Sequence, residues 1–180
     1  MKEWKIKISG FGGQGVILSG YTLGTAATIY EKQFASMIQS YGPEARGGSC
    51  STQVIINDQE VSYPLVDKPE ILVAMSQEGY DKNANHVTEQ GKIFYDQDLV
   101  NPFTPKHQVF QYPIPATRIA EELGKKIIAN MVILGYMLGK TRILSTRSFE
   151  QAIGRVAPKK FVPLNIKAFH SGYEYKDKEK

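Results

Sequence analysis

The sequence predicts an α/β fold: a three-layer, Rossmann-like domain on a mixed, largely parallel sheet, with a helical C-terminal third. Three observations predict it. A short alternating apolar run meets a cluster of glycines and is followed at once by an apolar helical stretch, which is the opening of a βαβ unit. Short buried-type strands such as "EILVAM" and "GKIFYD" recur through the middle of the chain. After Pro115 the pattern turns to helical periodicity and stays there.

The elements follow in order. Trp4 to Ser9 alternates and reads as a first strand that ends at Gly10, Gly12, Gly13 and Gly15. Val16 to Tyr30 carries no charge before Glu31 and suits a helix packed deep against a sheet. A second strand is expected from Gln33 to Ser40, running into the irregular "SYGPEARGGS". In "CSTQVIINDQEVSYP" the pair Asn57-Asp58 predicts a turn between two extended runs, hence an antiparallel hairpin and a mixed sheet. Glu70 to Met75 is a central strand, "GKIFYD" another, and "VFQYPI" a third whose Pro113 argues for an edge. Between the first two of these, "SQEGYDKNANHVTEQG" is polar enough for a short exposed helix and its loop.

"ATRIAEELG" is amphipathic and stops at Gly124. "IIANMVILGYMLGK" is mostly apolar. "SFEQAIGRVAP" sets Phe149, Ala152, Ile153 and Val156 on one side and closes at Pro158. "VPLNIKAFHSGYEYK" supplies a last helix over the outside, and the tail 174–180 alternates in sign and is expected to fray. With no internal repeat or linker, residues 1–180 read as one domain of 180 residues, long enough to bury its own core.

Composition narrows the function. Hydrophobic residues make up 42% and charged residues 22%, values of an ordinary folded protein. The net charge is +4 and the pI about 9.0, but the basic residues are spread along the chain, so they read as a solvated surface and not a nucleic-acid footprint. Cys50 is the one cysteine, which excludes an internal disulfide and an iron–sulfur cluster held by four thiolates of this chain. Neither a secretory leader nor a bilayer-spanning run is visible, so a reducing, cytoplasmic location and no membrane partner are expected.

Gly10, Gly12 and Gly15 fit G-x-G-x-x-G between a strand and a helix, where bare backbone amides and a helix N-terminus favour a phosphate. The acidic residue that should end the second strand is missing: the exit reads Gln39, Ser40, Tyr41. Glycines there also serve a tight crossover or close backbone contact. The loop "SYGPEARGGS" brings Tyr41, Gly42, Glu44, Arg46, Gly47 and Gly48 together. An arginine held between glycine turns can present its fork to a phosphate or carboxylate, or pair across a subunit boundary.

His86, His107 and His170 have no metal-ligand spacing, Ser76 is a helix N-cap, and Asn130 needs a polar partner if buried. Cys50, on a strand, reads as an inert core residue. Neither a nucleophile with an adjacent base nor a carboxylate pair emerges, so no catalytic residue is assigned.

"GFGGQGV" at 10–16, "SYGPEARGGS" at 40–49, "YPLVDKPEILVAMSQEGYD" at 63–81 and "IANMVILG" at 128–135 together resemble the gamma subunit of 2-oxoacid:ferredoxin oxidoreductases. "SYGPEARGG", "VAMSQE" and "PATRIAEELG" most resemble the 2-oxoglutarate type, with pyruvate and 2-oxoisovalerate types close. The resemblance implies a multi-subunit enzyme that oxidatively decarboxylates 2-oxoglutarate to succinyl-CoA and reduces ferredoxin. It implies alpha and beta partner subunits, and a delta subunit where one is present, carrying thiamine diphosphate, Mg and iron–sulfur clusters. This chain would bind none of these alone, and CoA and ferredoxin would meet it only through the complex.

On that reading Gly10, Gly12, Gly13, Gln14, Gly15, Tyr41, Gly42, Glu44, Arg46, Gly47 and Gly48 form a cofactor-binding or subunit-docking face. The two loops are expected to share it because their strands should be neighbours in a parallel pair. The competing readings are a free-standing nucleotide- or CoA-binding protein and a purely structural oligomer.

Overall fold

A computed structural model describes residues 3–43 and 47–177. Six strands form one sheet in the order β2-β3-β1-β4-β5-β6. They are β1 (Trp4–Phe11), β2 (Phe34–Tyr41), β3 (Ser49–Asn57), β4 (Ile71–Ala74), β5 (Lys92–Asp96) and β6 (Phe110–Ile114). β1, β4, β5 and β6 run parallel, whereas β3 is antiparallel to both β1 and β2. The mixed, largely parallel α/β sheet is therefore present, with β6 at one edge.

Two expectations about topology fail. β1 and β2 are not neighbours, because β3 lies between them and pairs with both. No hairpin forms at Asn57-Asp58 either. With both edges of β3 already occupied, the run after it has no strand to pair with. Residues 58–70 instead fold back over the sheet, where the Val66 amide donates to Gln53 Oε1 at 2.7 Å and Val66 is buried. The antiparallel hairpin is instead β2 with β3, joined through the loop that contains Gly42 and Gly47.

α1 (Val16–Thr25) continues as a wider-pitched turn over Ala26–Tyr30, closed by an amide-to-carbonyl bond from Glu31 to Ala26. It packs beneath β3, β2 and β1. α3 (Ala116–Glu122), α4 (Ala129–Thr141) and α5 (Thr146–Val156) share the same side, and α6 (Val162–Tyr173) lies against α4 as the outer cover. On the other side α2 (Gln77–Asn83) is not the exposed helix expected, since Tyr80 is fully buried against Leu72, Ala74, Ile93 and Tyr95.

Strand alternation sorts the core into two. Ile6, Ile8, Val54, Ile56, Ile71, Val73, Phe94 and Ile114 face the helices α1 and α3–α6. Leu72, Ala74, Ile93 and Tyr95 face α2. α4 and α6 meet closely because Gly135 and Gly172 have no side chain: a Cβ on Gly172 would lie 1.8 Å from the Val132 carbonyl oxygen. The tail is partly tied down, not frayed, through 177. Tyr175 packs edge-on against Tyr136 with ring centroids 5.6 Å apart, and Asp177 bonds to Tyr136 and Lys140. Among the described residues no helix is long and apolar enough to cross a membrane.

Candidate functional site: two glycine loops at one end of the sheet

β1 ends later than expected, running through Gly10 to Phe11 because Gly10 and Phe11 still pair with Cys50 and Ser49 of β3. The turn into α1 then uses positive φ at Gly13 (93°) and Gly15 (77°), a region that glycine enters without strain. A Cβ on Gly15 would also fall 2.6 Å from Asn130 Nδ2, so this glycine is required for contact as well as for conformation.

Gln14 organises the loop. Its Oε1 accepts from the Phe11 amide at 2.6 Å and its Nε2 donates to the Met75 carbonyl at 2.8 Å, which fastens the turn to the end of β4. Gly10 is excluded from having a side chain by this bridge, as a Cβ would meet Gln14 Oε1 at 2.5 Å. Asn130 is buried in α4 and donates to the Gly15 carbonyl at 3.2 Å and to Ser19 Oγ at 3.3 Å. The polar partner that a buried asparagine demands is thus the start of α1.

The second loop meets the first directly. The Gly12 amide donates to the Gly48 carbonyl at 2.9 Å, and the Gly42 amide closes the second loop on the Ser49 carbonyl at 2.7 Å. The loops are therefore adjacent, but the cause is β3, whose antiparallel course delivers Gly48 beside Gly12. Tyr41 stands 67% exposed, its hydroxyl donating to Gln39 Oε1, while Gln39 Nε2 donates to the Tyr21 hydroxyl. Gly47 has φ 71° and open space around it. Glu44 and Arg46 lie outside the described residues.

The arrangement differs from a dinucleotide site in a specific way. Ligands of open α/β sheets enter the crevice where successive crossover helices leave to opposite faces. Here that point lies between β1 and β4, since α1 and α2 pack on opposite sides. The Gln14 side chain spans it. The strand that should carry a ribose-binding acid beside β1 is also displaced, with β2 one position further out.

Beside the loop is a cleft of about 270 Å³ lined by Gly13, Gln14, Met75, Thr117, Lys126 and Ile127. Ile127, 59% exposed at its rim, drew no attention in the sequence because it sits in a continuous apolar run. Thr117 is not a free nucleophile: its hydroxyl and amide both donate to the buried Asp96 carboxylate, at 2.6 and 2.9 Å. Burial pushes the Asp96 carboxyl above its usual range, with the Thr117 and Asp98 hydrogen bonds opposing.

Ser76 caps α2, accepting from the Gly79 amide at 3.0 Å. Cys50 is buried and burial raises its thiol pKa, which suppresses the thiolate. His170 lies 2.9 Å from Glu150. Among the described residues no group of three His, Cys, Asp or Glu is placed to hold a metal ion.

Comparison with known proteins assigns this architecture. The family described as pyruvate ferredoxin/flavodoxin oxidoreductase matches residues 5–175. The 2-oxoglutarate synthase subunit KorC of Methanocaldococcus jannaschii is 46% identical over 172 residues, covering 94% of this chain and 92% of that one. The ketoisovalerate oxidoreductase subunit VorA of Methanothermobacter marburgensis is 38% identical over 97% of this chain, which spans 37% of that longer subunit. Among solved structures, a keto/oxoacid ferredoxin oxidoreductase gamma subunit from Geobacter sulfurreducens superimposes with a TM-score of 0.84 at 38% identity, covering 95% of this chain and 96% of that one. The chain that carries the fastened glycine turn and the second loop beside it is therefore a member of the pyruvate ferredoxin/flavodoxin oxidoreductase family.

Proposed function

We propose that this chain is the gamma subunit of a 2-oxoglutarate:ferredoxin oxidoreductase, in which 2-oxoglutarate is oxidatively decarboxylated to succinyl-CoA as ferredoxin is reduced. The single observation that carries the choice of substrate is the 46% identity, nearly end to end, with a 2-oxoglutarate synthase subunit.

In this proposal the chain docks and the partner subunits do the chemistry. Its own donor set does not fit the redox groups. Cys50 is the sole cysteine and lies buried in β3, so it cannot supply the thiolates of a cluster, and the described residues offer no three-ligand metal group. The same proposal assigns thiamine diphosphate, Mg and the iron–sulfur clusters to alpha, beta and, where present, delta subunits, in a reducing, cytoplasmic setting. The docking face consists of Gly10 to Gly15 with Tyr41 to Gly48. The Gly12–Gly48 hydrogen bond supports treating the two loops as one surface, and the exposed Tyr41 is the kind of rigid aromatic anchor that interfaces favour.

Purification of the tagged chain from its native host tests the reading. Two or more larger subunits with iron–sulfur absorbance should accompany it, and the complex should reduce ferredoxin with 2-oxoglutarate in preference to pyruvate or 2-oxoisovalerate. Recovery of the chain alone, or activity of the isolated chain, refutes the assignment. Arg46→Ala should weaken assembly or turnover by about tenfold while leaving the melting curve of the free chain in place. Unchanged assembly and turnover remove Arg46 from the docking face.

A further inference from the structure

The sheet face turned away from α1 carries a polar row that the docking reading does not use. Ser9, Ser51 and Ser40 are direct register partners across β1, β3 and β2, so their side chains stand side by side on one face. Lys7, two residues before Ser9 on the same strand, projects from that face too. Lys82 and Asn83 at the end of α2 border the row, and with Tyr41 and Gly42, where the slot adjoins the proposed docking face, these residues line a slot of about 180 Å³.

Polar groups in such a place usually satisfy one another. These do not. The side chains of Ser9, Ser40, Ser51 and Lys7 make no hydrogen bond or ion pair with any described residue. Ser9 is only 7% exposed, and Lys7 is half-buried. Of the two lysines only Lys82 has an acidic partner, Glu78. Asn83 uses its Nδ2 on the Gly79 carbonyl. Gln53, beside Lys7 on the same face, accepts from the Val66 amide through its Oε1.

We propose that this slot binds a phosphoryl group. Hydroxyl and ammonium donors line it together, and the terminal oxygens of one phosphoryl group can accept from two neighbouring hydroxyls, such as those of Ser9 and Ser51, and from a lysine. The slot is smaller than the roughly 300–1,000 Å³ of a site that encloses a whole small-molecule ligand, so it takes one group of a larger ligand or a free ion. Burial lowers the Lys7 pKa, a cost that a bound anion reverses by stabilising the charged form.

Titration of the full-length chain with inorganic phosphate, followed by amide NMR shifts at matched ionic strength, tests this. Saturable shifts centred on Lys7, Ser9 and Ser51 are expected, with a Kd of order millimolar. Lys7→Gln should weaken binding about tenfold, and Ser51→Ala, which removes one hydroxyl from a half-buried site, by a smaller factor. A second titration identifies the source: tighter binding of ADP than of phosphate assigns a nucleotide phosphate, and equal affinity assigns the free ion.

Shifts that sodium chloride reproduces, no saturation by about 50 mM phosphate, or unchanged affinity in a Ser51→Ala variant of normal melting temperature overturns the proposal. Phosphate binding that is present in the free chain and lost in the complex also overturns it, because the face would then be an ordinary subunit contact.

Discussion

The two halves of the sheet solve burial differently. β4 and β5, in the parallel half, are covered on both faces, and Ile71–Ala74 is buried at every position. β2, at the antiparallel edge, has no fully buried residue, and its helix α1 covers one face only. Parallel strands connected by helices acquire a cover on each side, whereas the loop that joins β2 to β3 adds no second cover to the one that α1 supplies. The lesson is that the closed half supplies stability and the half-open one supplies free surface. The glycine loops lie where the two halves join, and the serine row lies on the open face.

Paired substitutions can break this comparison. Phe94→Ala removes a fully buried ring stacked on Tyr112 and should cost about 4 kcal/mol, against about 1 kcal/mol for Ile38→Ala on the open strand. Urea denaturation of both variants reads the difference directly. Equal costs would mean that the open face is covered in solution, for instance by self-association.

The covering helices offer a second, smaller contrast. Gly172→Ala sets a methyl against the Val132 carbonyl and should destabilise by about 3 kcal/mol, lowering the melting temperature by roughly 10 °C. Gly24→Ala in α1 meets open space and should stabilise by up to about 1 kcal/mol. A neutral Gly172→Ala would show that α6 is only loosely held on α4.

The smallest effect concerns charge. Asp96 of the closed half is buried, and its carboxyl titrates above the usual value of 3.8. The folded chain therefore holds this proton more tightly than the unfolded one. That contribution is complete below pH 3.8 and is lost as pH rises through the folded pKa. The stability of the wild type relative to Asp96→Asn should accordingly fall across this acid window. A difference that is flat with pH would mean the Thr117 hydrogen bonds fully offset burial.

Much of the fold was legible because strand and helix periods are local. The buried runs, the N-cap at Ser76 and the polar need of Asn130 all follow from a few neighbouring residues. The strand neighbours were not legible, since pairing depends on which edges remain free. The hairpin expected at Asn57-Asp58 is the clearest case: its turn residues are right, but β3 had no edge left. The serine row shows the same limit. Ser9, Ser40 and Ser51 look unremarkable one at a time and become a row only when register sets them abreast.

The sequence by itself determined the layer pattern, the glycine turn into α1, the absence of a cysteine set and, through four ordered motifs, the family. Only the tertiary structure decided that β3 stands between β1 and β2, that Gln14 spans the crevice, and that Gly12 meets Gly48. The physical reason is range. Backbone preference and apolar period act over a few residues, whereas strand order, register and the meeting of loops are settled by contacts between segments tens of residues apart.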